Sequence, residues 1–212
     1  MMGQSYKPQS LVMSCMPDLD FQPADPNCLE VASFEVEYED VFHLQNLYEV
    51  AHQWFVENGF TSVEDGDGEF ETLYHHKINS GGGVEHRIWW RANKVPRSSD
   101  YFKYFLKLDF RTINMSEVTM QRDGEQVKAN KGDVIIRVSS HLIMDYKGKW
   151  KNSTFGSLFH DYFQKRLYRD RINSEQQQLW QETKDLQATL KDFLDLKTPG
   201  ARQENFHPKT GL

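Results

Sequence analysis

The sequence predicts an α+β protein: an antiparallel sheet of five to seven strands, in the element order β-α-β-β-β-β-(β)-β-α-α, packed by amphipathic helices. Three observations carry that prediction. The stretch from Asp133 to Trp150 sets Val134, Ile136, Val138, Ser140, Leu142, Met144 and Tyr146 on one parity, and Ile135, Arg137, Ser139, His141, Ile143 and Asp145 on the other. That alternation marks a long strand with one apolar face. Helix-period segments lie before and after the run of strands. Short turn signals, Asn79-Ser80-Gly81-Gly82-Gly83 and Asp123-Gly124, separate the strands, which argues for hairpins and so for antiparallel pairing.

Residues 1–30 read as an extended N-terminal arm. They hold four of the seven prolines and no sustained period, yet Leu11, Val12, Met13, Met16, Leu19 and Phe21 are more apolar than a solvating tail requires. The domain, 31–172, opens with a strand in which Phe34, Val36 and Tyr38 face inward and Glu35, Glu37 and Glu39 face water. A helix from about His43 to Asn58 follows, striped by Leu44, Leu47, Tyr48, Ala51, Trp54 and Phe55, with Gly59 free to adopt positive φ beyond its end.

Strands are expected at Glu69–Ile78, Val84–Ala92 and Tyr101–Ile113. In the last of these Phe102, Tyr104, Leu106, Leu108 and Phe110 alternate with charged residues, and Phe105 is the exception on the wet side. Asn114-Met115 is expected to turn the chain into Ser116–Gln121, and Lys131-Gly132 to turn Val127–Ala129 into the long strand, which Gly148 ends. A helix over about 155–171 is striped by Phe155, Leu158, Phe159, Tyr162, Phe163 and Leu167. A second, over 173–196, opens on the capping box Ser174-Glu175-Gln176-Gln177. Along it Leu179, Thr183, Leu186, Leu190 and Phe193 form a narrow, coiled-coil-like seam. Pro199-Gly200 stops it, and 197–212 is a polar C-terminal tail containing Phe206.

A strand and a helix, then a run of strands, then a long last helix is similar to the helix-grip arrangement of START-like proteins. There a curved sheet wraps the final helix, often around an apolar cavity, and the similarity nominates Phe102, Tyr104, Phe110, Leu142, Phe159 and Phe163 as its lining. The pieces Leu47-Tyr48…His52…Trp54, Glu117-Val118…Asp123-Gly124…Val127…Lys131-Gly132 and Leu142…Asp145-Tyr146…Gly148…Trp150 followed by an aromatic helix resemble an uncharacterised family of small archaeal proteins over residues 38–172. That resemblance implies a fold and no chemistry.

The motif search nominates no catalytic residue, metal site or cofactor. His75-His76 are adjacent on a strand and point to opposite faces, and His86 across the hairpin would complete at most a two-ligand site. Asp65-Gly66-Asp67-Gly68-Glu69 departs from a calcium loop at Phe70 and His76, where glycine and glutamate belong. Gly81-Gly82-Gly83 lacks the Lys-Ser/Thr of a phosphate loop. Cys15 and Cys28 permit one bridge and read as free thiols in a reducing compartment. No apolar run approaches the roughly 18 residues of a membrane span, so a cytoplasmic location, or a place in a virion assembled there, is the expectation.

Net charge is −6, but residues 1–86 carry −14 and residues 87–171 carry +9, a dipole if the halves separate in space. Arg87-Ile88-Trp89-Trp90-Arg91 sets Arg87, Trp89 and Arg91 on one face. Such a face suits an interface hot spot, single-stranded nucleic-acid stacking, or a covered indole with the arginine stems lying on it. The acidic balance of the whole chain speaks against nucleic acid. The first functional expectation is therefore a non-enzymatic assembly protein that docks on partner chains, including copies of itself. It would use its arms (Leu11, Met13, Phe21), the Trp89 face and the seam Leu179, Leu186, Leu190, Phe193, as in a connector or tail-type subunit of a viral particle. The rivals are a helix-grip binder of an apolar small molecule and a single-stranded nucleic-acid binder.

Overall fold

The computed structural model describes residues 27–63, 69–97, 99–122, 125–148, 168–196 and 206. Its elements are β1 (Cys28–Phe42), α1 (Leu44–Glu57), β2 (Thr61–Ser62), β3 (Glu71–Ile78), β4 (Val84–Lys94), β5 (Phe102–Arg122), β6 (Glu125–Met144) and α2 (Arg169–Phe193). The fold is α+β, as the alternation requires. One antiparallel sheet has the strand order β1-β6-β5-β4-β2, and β3 pairs β4 further along the edge that β2 also uses. The arm boundary at 30 moves back, because Cys28 and Leu29 already pair with Ile143 and Leu142.

The inner face is the one the period-2 pattern picked out. Phe102, Tyr104, Leu106, Leu108 and Phe110 of β5 are buried, as are Val134, Ile136, Val138, Leu142 and Met144 of β6. Helix α1 lays Leu47, Ala51, Trp54 and Phe55 on this face, where Phe55 meets Phe60, Phe70 and Trp90 ring to ring. His43 caps the helix, its Nδ1 accepting from the Asn46 N–H, and Gly59 at φ 72° releases its end. Helix α2 packs against α1, β1 and β6.

Three boundaries differ from expectation, each for a physical reason. Asn114-Met115 is not a turn: β5 runs through it, with Asn114 at φ 52° and a register shift between Ile113 and Ser116. Lys131-Gly132 is the other half of the same irregularity, since a Cβ on Gly132 would lie 2.9 Å from Met115 Cα. The turn residues thus build a bulge inside one long hairpin. Strand β6 ends at Met144 and not near Trp150, because Asp145, at φ 50°, turns its N–H to the Tyr101 carbonyl.

The third concerns the last helix. The boundary at 172/173 falls inside α2, which is continuous from Arg169, and Ser174 is exposed on its side instead of capping it. Glu175 and Gln176 read as capping residues but are buried. Glu175 is held there by the Tyr104 hydroxyl, which donates to its Oε2 at 2.6 Å. The helix expected over 155–171 lies outside the described residues except for its last turn. So does the acidic turn at 65–68.

Candidate functional site

Strand pairing brings residues from four strands into register on the outer face of the sheet. One rung across it reads Arg91 on β4, Lys107 on β5, Ser139 on β6 and Ser33 on β1. The next reads Trp89, Asp109, Arg137 and Glu35. Ser33, Glu35, Lys107, Asp109, Arg137 and Ser139 together line a groove of about 480 Å³. Neither rung is legible from one strand alone, because the four segments lie up to a hundred residues apart in the chain.

The charges in this groove are unevenly settled. Arg91 is buried, and its guanidinium donates at 2.6 Å to Asp109 and at 2.7 Å to the Trp90 carbonyl. Its Nε has no hydrogen-bond partner among the described residues. Arg137 pairs with Glu35, and the hydrogen bond from the guanidinium holds that carboxyl below its ordinary range. Lys107 has neither carboxylate. Burial, and then the neighbouring Arg91 charge, push its pKa down, and its Nζ lies 5.9 Å from the Phe105 ring centroid.

The second polar cluster lies under α2. Besides Tyr104 and Glu175, whose other oxygen accepts from Arg171 Nε at 3.2 Å, Lys94 donates to Glu182 at 2.8 Å. Trp54 Nε1 reaches across from α1 to Asp185 at 2.7 Å. Burial first, and then the hydrogen bond to Glu175, raise the Tyr104 pKa far above that of a free phenol. Burial and the adjacent Glu71 carboxylate push Tyr48 up to about 12. On β3, His76 lies directly opposite His86 with ring centroids 5.0 Å apart, and Tyr74 and Ile78 are 53 % and 65 % exposed. Among the described residues no three His, Cys, Asp or Glu side chains converge as a metal site.

A third feature is backbone. Strand β4 leaves β5 at Met115, and β1 leaves β6 at Asn130. Beyond those points β5 and β6 pair only with each other among the described residues, so 116–122 and 125–129 form a two-stranded ribbon with no described strand on either edge. Its register sets Val118 against Ala129 and Met120 against Val127, with Thr119 and Lys128 on the rung between and Glu117 and Asn130 on the rung before.

The chain matches no family model and no curated protein. Among solved structures it is similar to a putative uncharacterised protein from Rhizobium leguminosarum, at 10 % identity over 80 % of this chain and 97 % of that one. The TM-score is 0.20, too low to argue from.

The nominated residues fare unequally. Arg87, Trp89 and Arg91 do share a face, but only Arg87 is exposed there; Trp89 is half-buried, with the Arg91 guanidinium 5.7 Å from its ring centroid. Arg91 is already spent on Asp109, which removes one of the two cations a stacked nucleic acid would need. The seam on α2 is corrected outright. Leu179, Leu186 and Leu190 are fully buried in the chain's own core and Phe193 packs against it, so that stripe faces the sheet and not a partner. Phe102, Tyr104, Phe110 and Leu142 are likewise core residues at 0–1 % exposure, and Tyr104 brings a hydrogen-bonded hydroxyl to what was expected to be an apolar lining. Leu11, Met13, Phe21, Phe159 and Phe163 lie outside the described residues. No helix among those described is long and apolar enough to cross a membrane. The charge asymmetry interleaves in part: acidic β1 lies against β6, where Glu35 meets Arg137.

Sequence reading missed Lys107, Asp109, Ser33 and Ser139 because polar residues on the outer parity of one strand look like any wet face until their cross-strand neighbours are known. The one available signal was Phe105. An aromatic among charges on the outer parity announces that this face is not simply solvated, and Phe105 is buried beside His141.

Proposed function

We propose that this chain is a non-enzymatic assembly protein that docks on other protein chains, with the 116–129 ribbon as the docking element. The observation that carries the reading is that the ribbon continues beyond the ends of the β1 and β4 pairing, with no further strand on either edge among the described residues. An isolated two-stranded hairpin is marginal in water. Open strand edges are also templates for another strand, and natural proteins block or cover them unless pairing is their use. An extended segment of a partner chain added to either edge would satisfy N–H and C=O groups that no described strand takes up, and the Val118–Ala129 rung would help fix its register.

The test replaces 117–129 by an Asn-Gly turn in the full-length chain. Native extracts of full-length and ribbon-less protein are compared by lysine cross-linking and sedimentation. The reading expects intermolecular cross-links at Lys128 and Lys131 in the parent, a smaller sedimenting species for the variant, and a melting temperature changed little because the core is untouched. Parent and variant sedimenting alike as monomers, with no intermolecular cross-link at the ribbon, would overturn it.

A further inference from the structure

The outer-face groove is lined by two cations, Lys107 and Arg137, and two carboxylates, Glu35 and Asp109. Both carboxylates are paired, Asp109 to the adjacent Arg91 and Glu35 to Arg137, while Asp109 and Glu30 act on Lys107 only through their charge and not as ion-pair partners. Lys107 is half-buried, its cross-strand neighbour on β4 is the buried Arg91, and its neighbour on β6 is the neutral Ser139, followed by Ser33 on β1. A partly desolvated ammonium beside a second cation is unfavourable until an anion joins it or its proton leaves. Cross-strand neighbours stand about 4.5–5.5 Å apart at Cβ, so the ammonium and the two hydroxyls line one short stretch of the same groove. Hydroxyls donate to an oxyanion without adding charge, and an ammonium offers three donors. At about 480 Å³ the groove is in the range that holds a small molecule, larger than a bare ion.

We infer that this groove binds a small molecule through an oxyanion, a phosphate or a carboxylate, seated on Lys107, Ser139 and Ser33 with the Arg91–Asp109 and Arg137–Glu35 pairs as its fixed walls. The inference does not depend on the ribbon. The pairs also limit the ligand. Glu35 and Asp109 would repel a polyanion, so a single oxyanion group on an otherwise neutral body is the chemistry that fits.

The experiment titrates ¹⁵N-labelled full-length protein with inorganic phosphate, and separately with acetate, against chloride at equal ionic strength. Saturable amide shifts confined to the neighbourhood of Ser33, Lys107 and Ser139 are expected, with the tighter of the two probes naming the oxyanion. Lys107→Met should weaken that binding at least tenfold and Ser139→Ala severalfold, while Lys103→Met, four residues away on the same face of the strand, leaves it unchanged. Should Lys107→Met fail to fold, the Ser33→Ala/Ser139→Ala double variant carries the test by the same readout. Shifts no larger than chloride produces, or shifts that survive these substitutions, would overturn the inference. So would a site already closed by one of the chain's own carboxylates, seen as an intramolecular lysine-to-acid cross-link at Lys107.

Discussion

The hydrogen bond from Tyr104 to Glu175 ties α2 to β5, and its contribution can be measured. Tyr104 is fully buried and Glu175 is 3 % exposed; the hydroxyl donates at 2.6 Å to one carboxylate oxygen while Arg171 donates to the other. A hydrogen bond to a charged acceptor is worth about 1.5–3 kcal/mol, and removing the hydroxyl leaves the buried carboxylate one donor short while Arg171 stays beside it. Tyr104→Phe should therefore cost about 2–3 kcal/mol, a large share of a typical stability of about 5–15 kcal/mol. Glu175→Gln keeps an acceptor and should cost less. Tyr104→Phe/Glu175→Leu removes both partners, so the double variant should be more stable than the sum of the Tyr104→Phe and Glu175→Leu losses predicts, by a coupling of about 1.5–3 kcal/mol. Urea unfolding at pH 7 supplies the four corners of the cycle. A coupling below about 0.5 kcal/mol would refute the reasoning, because contacts this close normally exceed it. The same bond has a pH signature. The folded Tyr104 pKa is raised, so the proton is held more tightly in the folded state, and the contribution is whole below pH 10 and declines as pH rises above it. Tyr104→Phe should flatten that alkaline limb and leave the part due to Tyr48, whose pKa reaches about 12.

Two further predictions concern the sheet. The folded His86 pKa is lowered by burial and then by the charge of His76 opposite. The unfolded chain therefore binds more protons just below pH 6.5, and stability should fall as pH drops through that value; His86→Gln should remove the slope in urea midpoints measured between pH 7.5 and 5.5. Gly132 stands at φ 155° with no room for a Cβ between Met115 Cα and the Ile113 carbonyl at 2.9–3.0 Å, whereas Gly59 at φ 72° has open space around it. Gly59→Ala should cost about 1–2 kcal/mol, the left-handed penalty alone. Gly132→Ala should cost more, because backbone must move, and equal melting temperatures for the two variants would dismiss the bulge as the reason for the glycine.

The inner face was legible because burial on one side of a strand writes itself as period 2: every apolar residue nominated on β5 is buried, as is each one from Val134 to Met144 on β6. Helix α1 was legible for the corresponding reason at period 3.6, down to its Gly59 release, whereas the His43 cap came only with the structure. What failed was local chemistry read without its tertiary partner. Ser174-x-x-Gln177 has the form of a helix start, but the Tyr104 hydroxyl gives Glu175 a reason to be buried, and the apolar stripe then runs back to Ile172. Asn114 and Gly132 carry turn residues that serve a bulge, since each lies opposite the other's strand and not at the end of its own. The seam on α2 had the spacing of an intermolecular zipper, and spacing alone does not say whose surface fills it.

The outer face could not be read at all until the pairing was known, and that is a property of sheets in general. A strand tells its own parity but not its neighbours, and a one-residue change of register would exchange every residue on a rung. Lys107 acquires its meaning only from Arg91 on one side and Ser139 on the other, both fixed by pairing across β4, β5 and β6. The sheet therefore has two differently specified faces. The inner one is set by amounts of apolar area, which tolerate exchange of one aliphatic for another. On the outer face the settlement of individual charges matters, and exchanging Asp109 for asparagine would leave Arg91 buried without its counter-ion.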